Sequence, residues 1–454
     1  MLQFWYDLCS TSPEVLGRLQ NRWRYITIDE YQDTNGVQYE IARLLAAPKN
    51  NLCVVGDIDQ NIYSWRGADL EHLLTFEDSF PGAKVVTLEQ NYRSTRTILK
   101  AANGVIEKNV RRKPKNLFTD NPTGEPLVVY GAVNEMDEAW FVAQTAVELM
   151  QGGMRAQEIA VLYRENFQSR ALEEAMLHAG VPYRVLGTRF FARKEVKDTL
   201  SYLRASLNPK SRVDLMRIVG VPPRGIGKVT LEKMLAGQDA GLPTGARGKI
   251  ISFRATLEAI RKAIEMLPAS EAVRFAVEAS GMEKMYKNDA EDPSTTLGAS
   301  GKEKLDNIGE LVNFAARFDG DAPPQGIERL LEEAALQSDQ DQLEEKQQAV
   351  TLMTVHASKG LEFDAVFITG LEQGLFPSMR VNTEARDEEE ERRLFYVALT
   401  RARKNVYLTY AAQRMKYGTR EFTLPSEFLD DVDPRLVEVR ERKRSLLEYE
   451  DIIR

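Results

Sequence analysis

The sequence predicts an α/β protein of two parallel-sheet domains, the second interrupted by an inserted helical domain. Three observations lead there. Short apolar runs without alternation, such as YITI (Tyr25 to Ile28) and IAVLY (Ile159 to Tyr163), fit strands buried on both faces of a parallel sheet. The span from about Phe190 to Gln348 offers no convincing strand and is rich in Ala, Leu, Glu, Lys and Arg. The 454 residues, 43% hydrophobic and 28% charged, exceed what one core of typical size encloses.

Taken in order, YITI is followed by a helical segment and by NLCVVG (Asn51 to Gly56), a strand–helix–strand unit whose strands run into acidic loops. Ligand sites in open α/β sheets sit at such strand ends. After QNYRST (Gln90 to Thr95) come LVVY (Leu127 to Tyr130), a helical pattern over Glu135 to Met150, and IAVLY. The block resumes with VTLMTV (Val350 to Val355), DAVFITGL (Asp364 to Leu371) and NVYLTYA (Asn405 to Ala411). Beyond Asp433 the charged tail is expected to be helical or disordered.

Composition excludes several classes. No apolar run approaches the roughly 20 residues of a membrane-spanning helix, and Asp7 falls where a signal peptide would be apolar, so a cytoplasmic protein without a membrane partner is expected. Cys9, Cys53, His72, His178 and His356 show none of the short spacings of zinc sites. A net charge of −8 argues, alone, against a nucleic-acid binder, although a local patch such as RRKPK (Arg111 to Lys115) can dominate contacts.

Five strings carry chemistry. DEYQDT (Asp29 to Thr34) places adjacent carboxylates after the first strand: in nucleotide hydrolases one such group holds Mg²⁺ and the next polarises water, the competing reading being a solvated helix-capping turn. In VVGDIDQNIYSWRGAD (Val54 to Asp69), Gln60 at a strand end can sense a γ-phosphate, while Tyr63, Trp65 and Arg66 can stack on bases. LEQNYRST (Leu88 to Thr95), TVHASKGLEFDAVFITGL (Thr354 to Leu371) and EERRLFYVALTRAR (Glu390 to Arg403) follow in that order. The charges of Glu388 to Arg393 read as mostly a solvated helix face.

Together these strings resemble the later signature motifs of the UvrD/PcrA/Rep-like superfamily 1 DNA helicases. The resemblance implies two RecA-like P-loop NTPase-type domains, the first incomplete, with a helical domain inserted in the second. The expected division is 1–24 (end of a helical insertion in the first domain), 25–94 (partial first domain), 95–187 and 350–432 (second domain), 188–349 (helical insert) and 433–454 (charged tail). It further implies an ATP-dependent 3′–5′ DNA helicase or translocase acting in DNA repair or replication, with ATP and Mg²⁺ as cofactors.

Residue by residue, the resemblance gives Asp29 to Mg²⁺, Glu30 to water activation and Gln60 to coupling the γ-phosphate to the DNA site. Tyr92 would stack on adenine, Glu362 would hold the ribose, and Arg93 and Arg401 would act as arginine fingers. Single-stranded DNA would be gripped by Tyr63, Trp65, Arg66, His356 and Tyr417. The Gly225-Ile226-Gly227 turn would touch the duplex at a single-strand/duplex junction, its rival being an ordinary helix-connecting turn. Glu427 stands where the family pattern suggests a basic residue. Repair or replication proteins are the expected protein partners.

The phosphate-cradling string GxxxxGK(S/T) does not occur: Gly227-Lys228, Gly248-Lys249 and Gly301-Lys302 are followed by Val229, Ile250 and Glu303. In the resembled family that loop precedes DEYQDT. The expectation is therefore a fragment inactive alone, completed by a missing N-terminal segment in trans. The alternative is a non-catalytic DNA-binding or regulatory module built on the second domain.

Overall fold

A computed structural model describes residues 1–291, 297–342, 348–378 and 386–440. Strands β1 (Ile26–Ile28) and β2 (Leu52–Val54) pair in parallel, with Ile26 opposite Leu52. The pairing continues where Val55 N–H donates to the Ile28 carbonyl at 2.8 Å. Between them runs the helix Gly36–Ala46, started by reciprocal bonds between Asn35 and Gln38, each 3.0 Å, which satisfy two otherwise orphaned N–H groups. Helices Leu2–Thr11 and Pro13–Arg22 pack beside it.

The second sheet contains β3 (Leu127–Asn134), β4 (Ile159–Tyr163), β5 (Tyr183–Val185), β6 (Val350–Thr354), β7 (Phe363–Ile368), β8 (Ala402–Lys416), β9 (Thr419–Phe422) and β10 (Val437–Arg440). Its order is β10-β3-β8-β7-β4-β6-β5, all parallel, with β9 antiparallel to the far end of β8. Every residue of β4 and β7 is buried, as their unbroken apolar runs predict for strands covered on both faces. One face packs on a cluster including Ile98, Phe376 and Phe395, the other on one including Val142, Leu172 and Phe367.

Three strands went unforeseen: β5, β9 and β10, each three or four residues long. β10 corrects the reading of the tail, because residues 437–440 pair with β3 at the sheet edge. Residues 441–454 lie outside the described residues. The chain leaves after β5 into helices running from Lys194–Leu207 to Gln325–Gln342 and returns at β6. These helices enclose their own core, including Phe253, Phe314 and Leu330. Among the described residues no helix is long and apolar enough to cross a membrane.

The two α/β units meet through ion pairs and one apolar plug. RRKPK is consumed there rather than offered to a ligand: Arg111 pairs with Glu71, Arg112 with Asp59 at 2.8 Å, Lys113 with Glu77 at 3.1 Å, and Lys115 with Asp57 and, at 3.0 Å, Asp59. Ile62, wholly buried, inserts into the second unit's core beside Ile98 and Phe395. The Glu388 to Arg393 face is also corrected. Glu391, Arg392 and Arg393 are buried and bonded, Glu391 to Arg164 at 2.7 Å, Arg392 to Asp431 at 3.1 Å and Arg393 to Glu389 at 3.1 Å. Charges so placed need partners, because an unpaired buried ion loses its hydration without compensation.

Candidate nucleotide and nucleic-acid site

The end of β1 presents Asp29 and Glu30. Glu30 has φ 51°, the left-handed region that a non-glycine residue enters at a cost, and its N–H donates to Asp29 Oδ1 at 2.8 Å. Gln32, buried beneath, donates from Nε2 to Glu30 Oε2 at 2.5 Å and accepts the Asp57 N–H at Oε1, 2.9 Å away, so one side chain ties both strand ends together. Gln60 follows β2 in a short 3-10 turn, its amide donating to Asp57 Oδ2 at 2.9 Å.

A residue that the motif reading passed over sits at the centre. Lys359, buried, reaches from the loop after β6 so that its Nζ lies 2.5 Å from Asp33 Oδ2, 3.3 Å from Glu30 Oε2 and 2.7 Å from the Gln60 carbonyl. The same ammonium stands 5.4 Å from the Tyr63 ring centroid. Burial pushes the Asp33 carboxyl up, opposed by Lys359. Lys359 lies inside the quoted TVHASKGLEF string, but a single lysine gives no sequence signal for burial against carboxylates contributed from the other unit.

Arg93 and Arg401 converge on Thr400. Arg93 pairs with Glu362 at 2.6 Å and donates to the Thr400 carbonyl at 3.0 Å. Arg401 is 2% exposed and donates to the carbonyls of Val397 (3.0 Å) and Leu361 (3.3 Å) and to Thr400 Oγ1 (3.2 Å). Among the described residues it forms no ion pair. Burial, reinforced by nearby Arg93, lowers its guanidinium to about 10, still charged at neutral pH. Glu362 bridges Arg93 and Arg403, whose hydrogen bonds hold its carboxyl below the usual range. Tyr92 is 78% exposed, with its hydroxyl on Gln90 Oε1 at 2.8 Å, leaving the ring open to solvent.

On the other side of Lys359 the aromatics gather. Ring centroids of Tyr63, Trp65 and His356 lie 6.3 to 6.4 Å apart, and the Arg66 guanidinium stands 4.5 Å from the Trp65 ring centroid. Tyr63 Oη donates to the His356 carbonyl at 3.1 Å, joining the two units. A pocket here is lined by Ser64, Trp65, Arg164, His356, Glu390 and Glu391, among others. Ser64 bonds to Glu390 through both its N–H and its hydroxyl, and burial raises the Glu390 carboxyl.

Tyr417 does not join this cluster; it caps the β8–β9 hairpin against the helical insert. Gly225 and Gly227 lie in the insert, away from the aromatics. Gly225 has φ 65° and its carbonyl accepts from Lys249 Nζ at 3.1 Å, while Gly227 is the N-cap of helix Lys228–Leu235. Glu427 is exposed in a turn after the hairpin.

Comparison with known proteins places this geometry. The family model described as UvrD-like helicase C-terminal domain matches residues 86–245 and 248–413, and that described as UvrD/REP helicase N-terminal domain matches 1–81. A relative from Staphylococcus aureus, named ATP-dependent DNA helicase PcrA, is 41% identical over 452 residues, which is 95% of this chain and 61% of the relative. The protein of the same name from Staphylococcus epidermidis gives the same figures. The chain thus spans 61% of the length of these relatives. A solved Lactobacillus domain, titled as the C-terminal domain of a possible DNA helicase, aligns over 77% of this chain and 98% of its own at 11% identity and a TM-score of 0.31, too low to carry an argument. With the two family models together covering most of its residues in order, the chain belongs to the UvrD-like helicase family.

Proposed function

We propose that the chain is the nucleotide-closing and DNA-gripping part of an ATP-dependent 3′–5′ DNA translocase and helicase. One observation carries the reading: Arg401 is a buried, charged guanidinium without a carboxylate partner among the described residues, set beside Arg93. Such a charge is costly unless an anion arrives, and a nucleotide γ-phosphate in the cleft supplies one. Glu30 would then polarise water, Gln60 would sense the phosphate, Tyr92 would stack on adenine and Glu362 would meet the ribose. The donor set suits Mg²⁺, which uses one or two carboxylates and keeps several waters, with Asp29 as the ligand. Bound there, Mg²⁺ would neutralise phosphate charge. Lys359, touching Glu30, Asp33 and the Gln60 carbonyl on one side and Tyr63 on the other, would tie cleft closure to the base-stacking cluster.

Tyr63, Trp65, Arg66 and His356 would stack on and grip single-stranded bases without strong sequence preference, and Gly225 and Gly227 would meet the duplex of a junction. DNA-stimulated ATP hydrolysis tests the proposal, with the chain assayed alone and mixed with a P-loop-bearing N-terminal segment. Stimulation in either mixture supports it; none in both overturns it. A second reading takes the cluster of Tyr63, Trp65 and His356 alone as the functional site: a non-catalytic DNA-binding module. It expects nucleotide-independent binding of labelled junctions, with no hydrolysis in either mixture.

A further inference from the structure

Trp65 is half-exposed, so packing alone does not fix its ring; the backbone that carries it must. It sits in the single turn Ser64–Arg66, closed by Gly67 at φ 84°, whose N–H donates to the Ser64 carbonyl at 2.8 Å. The first N–H groups of a helical turn have no partner within it. Here the Ser64 N–H is met from the other α/β unit: it donates to Glu390 Oε1 at 3.1 Å, and the Ser64 hydroxyl donates to Oε2 of the same carboxylate. One side chain thus takes both donors of the residue directly before Trp65.

Glu390 is itself a fixed point. It lies on helix Arg386–Leu399 between two carboxylates anchored elsewhere on the second unit: Glu389 accepts the Val110 N–H at 2.7 Å, and Glu391 meets Arg164 at 2.7 Å and the Ser378 N–H at 3.0 Å. Consecutive helical residues point about 100° apart, so three successive anchors keep the helix from rolling. Tyr63 is also tied across the boundary, but through the end of a long side chain, whereas the Glu390 bond to the Ser64 N–H acts on the backbone beside Trp65. Glu390 lines the polar pocket it shares with Trp65, His356 and Arg164, so truncating it opens no cavity in an apolar core.

We infer that Glu390 is a positioning residue for base stacking: acting through Ser64, its carboxylate holds the Trp65 ring where a base can meet its face. This rests on the DNA-binding reading above. A ring held in place before the base arrives has less freedom to lose on binding, which tightens the complex. Without the carboxylate, the Ser64 N–H and hydroxyl turn to water and the loop samples other positions. Glutamine preserves both contacts, its oxygen accepting the N–H and its amide donating to the hydroxyl oxygen.

The full chain is titrated with fluorescein-labelled oligo(dT), without nucleotide, while hydrogen exchange follows the peptide containing Ser64 and Trp65. Glu390→Ala is expected to weaken oligo(dT) binding about five- to tenfold and to speed exchange in that peptide, with the circular dichroism spectrum retained. Glu390→Gln is expected to stay within about twofold of the unsubstituted chain; both variants lose the negative charge, so their difference isolates the hydrogen bonds. Trp65→Ala weakens binding at least as far, and in that background Glu390→Ala costs at most about twofold more, because its effect passes through the ring. If oligo(dT) binds but Glu390→Ala leaves its affinity unchanged, matches Glu390→Gln, or multiplies fully with Trp65→Ala, the positioning role is overturned while the DNA reading stands. No oligo(dT) binding by any variant overturns the DNA reading and the positioning role with it.

Discussion

The two α/β units use the same strand–helix–strand grammar with opposite means of support. In the second unit β4 and β7 are buried along their whole length, and clusters of large side chains fill both faces of the sheet. In the first, β1 and β2 are three residues each with no fully buried position, and Tyr25 and Val55 at their ends are exposed. The first unit is instead held by its neighbour, through the RRKPK ion pairs, Lys359, the Tyr63 hydroxyl and the Ile62 plug. A shallow unit mounted on a deep one depends on that seam for its stability, and under the proposed function the seam borders a cleft lined from both sides.

The comparison can be broken most decisively at the cleft. Under the proposed function, Arg401→Ala lowers DNA-stimulated ATP hydrolysis by about 10³-fold, the lower end of arginine-finger effects, with the folded circular dichroism spectrum retained. Next, Phe367→Ala in β7 costs about 3–5 kcal/mol in denaturant unfolding followed by circular dichroism, because its cavity forms in a packed core. Ile62→Ala costs about 2–5 kcal/mol by the same physics, yet it is felt as undocking. Limited proteolysis then cuts within the first 80 residues while the second sheet stays protected; equal loss of both units would erase the distinction.

Two smaller effects separate the seams. Raising NaCl from 0.1 to 1 M shrinks the Debye length from about 10 to about 3 Å. The half-exposed Arg111–Glu71 and Lys113–Glu77 pairs then loosen, and hydrogen exchange around residues 57–80 rises a few-fold with β4 unchanged. The seam to the insert responds to acid. Burial pushes Asp306 up to about 6, against Lys302 and Lys416, with Glu165 adding to the rise and Tyr417 donating a hydrogen bond. A carboxyl raised in the fold binds its proton more readily there than when unfolded, so the stability linked to it grows as pH falls through about 6 and declines above it. Gly418 exchange, corrected for its intrinsic pH dependence, should slow slightly from pH 7.5 to 5.5.

What the sequence disclosed follows from burial. IAVLY was legible to the residue because a strand covered on both faces needs an unbroken apolar run. TREF and VEVR were not, because β9 and β10 are short, polar and defined only by the neighbours they pair with. Each single-letter string could show the carboxylates, arginines and aromatics of the site, since those residue types carry the chemistry wherever they lie. It could not show Lys359 beneath Glu30 and Asp33, nor the partners that turn RRKPK and Glu391 to Arg393 inward, because charges more than 200 residues apart, as at Lys359, meet only through the fold.

The Ile62 plug also has a consequence in time. During synthesis Ile62 leaves the ribosome before any of its core partners, and the set is complete only when Val432 has emerged. At roughly 5–20 residues per second, that delay is roughly 20–70 s. For that interval the core that receives Ile62 is incomplete, so the first unit gains its full seat only when nearly the whole molecule has been made.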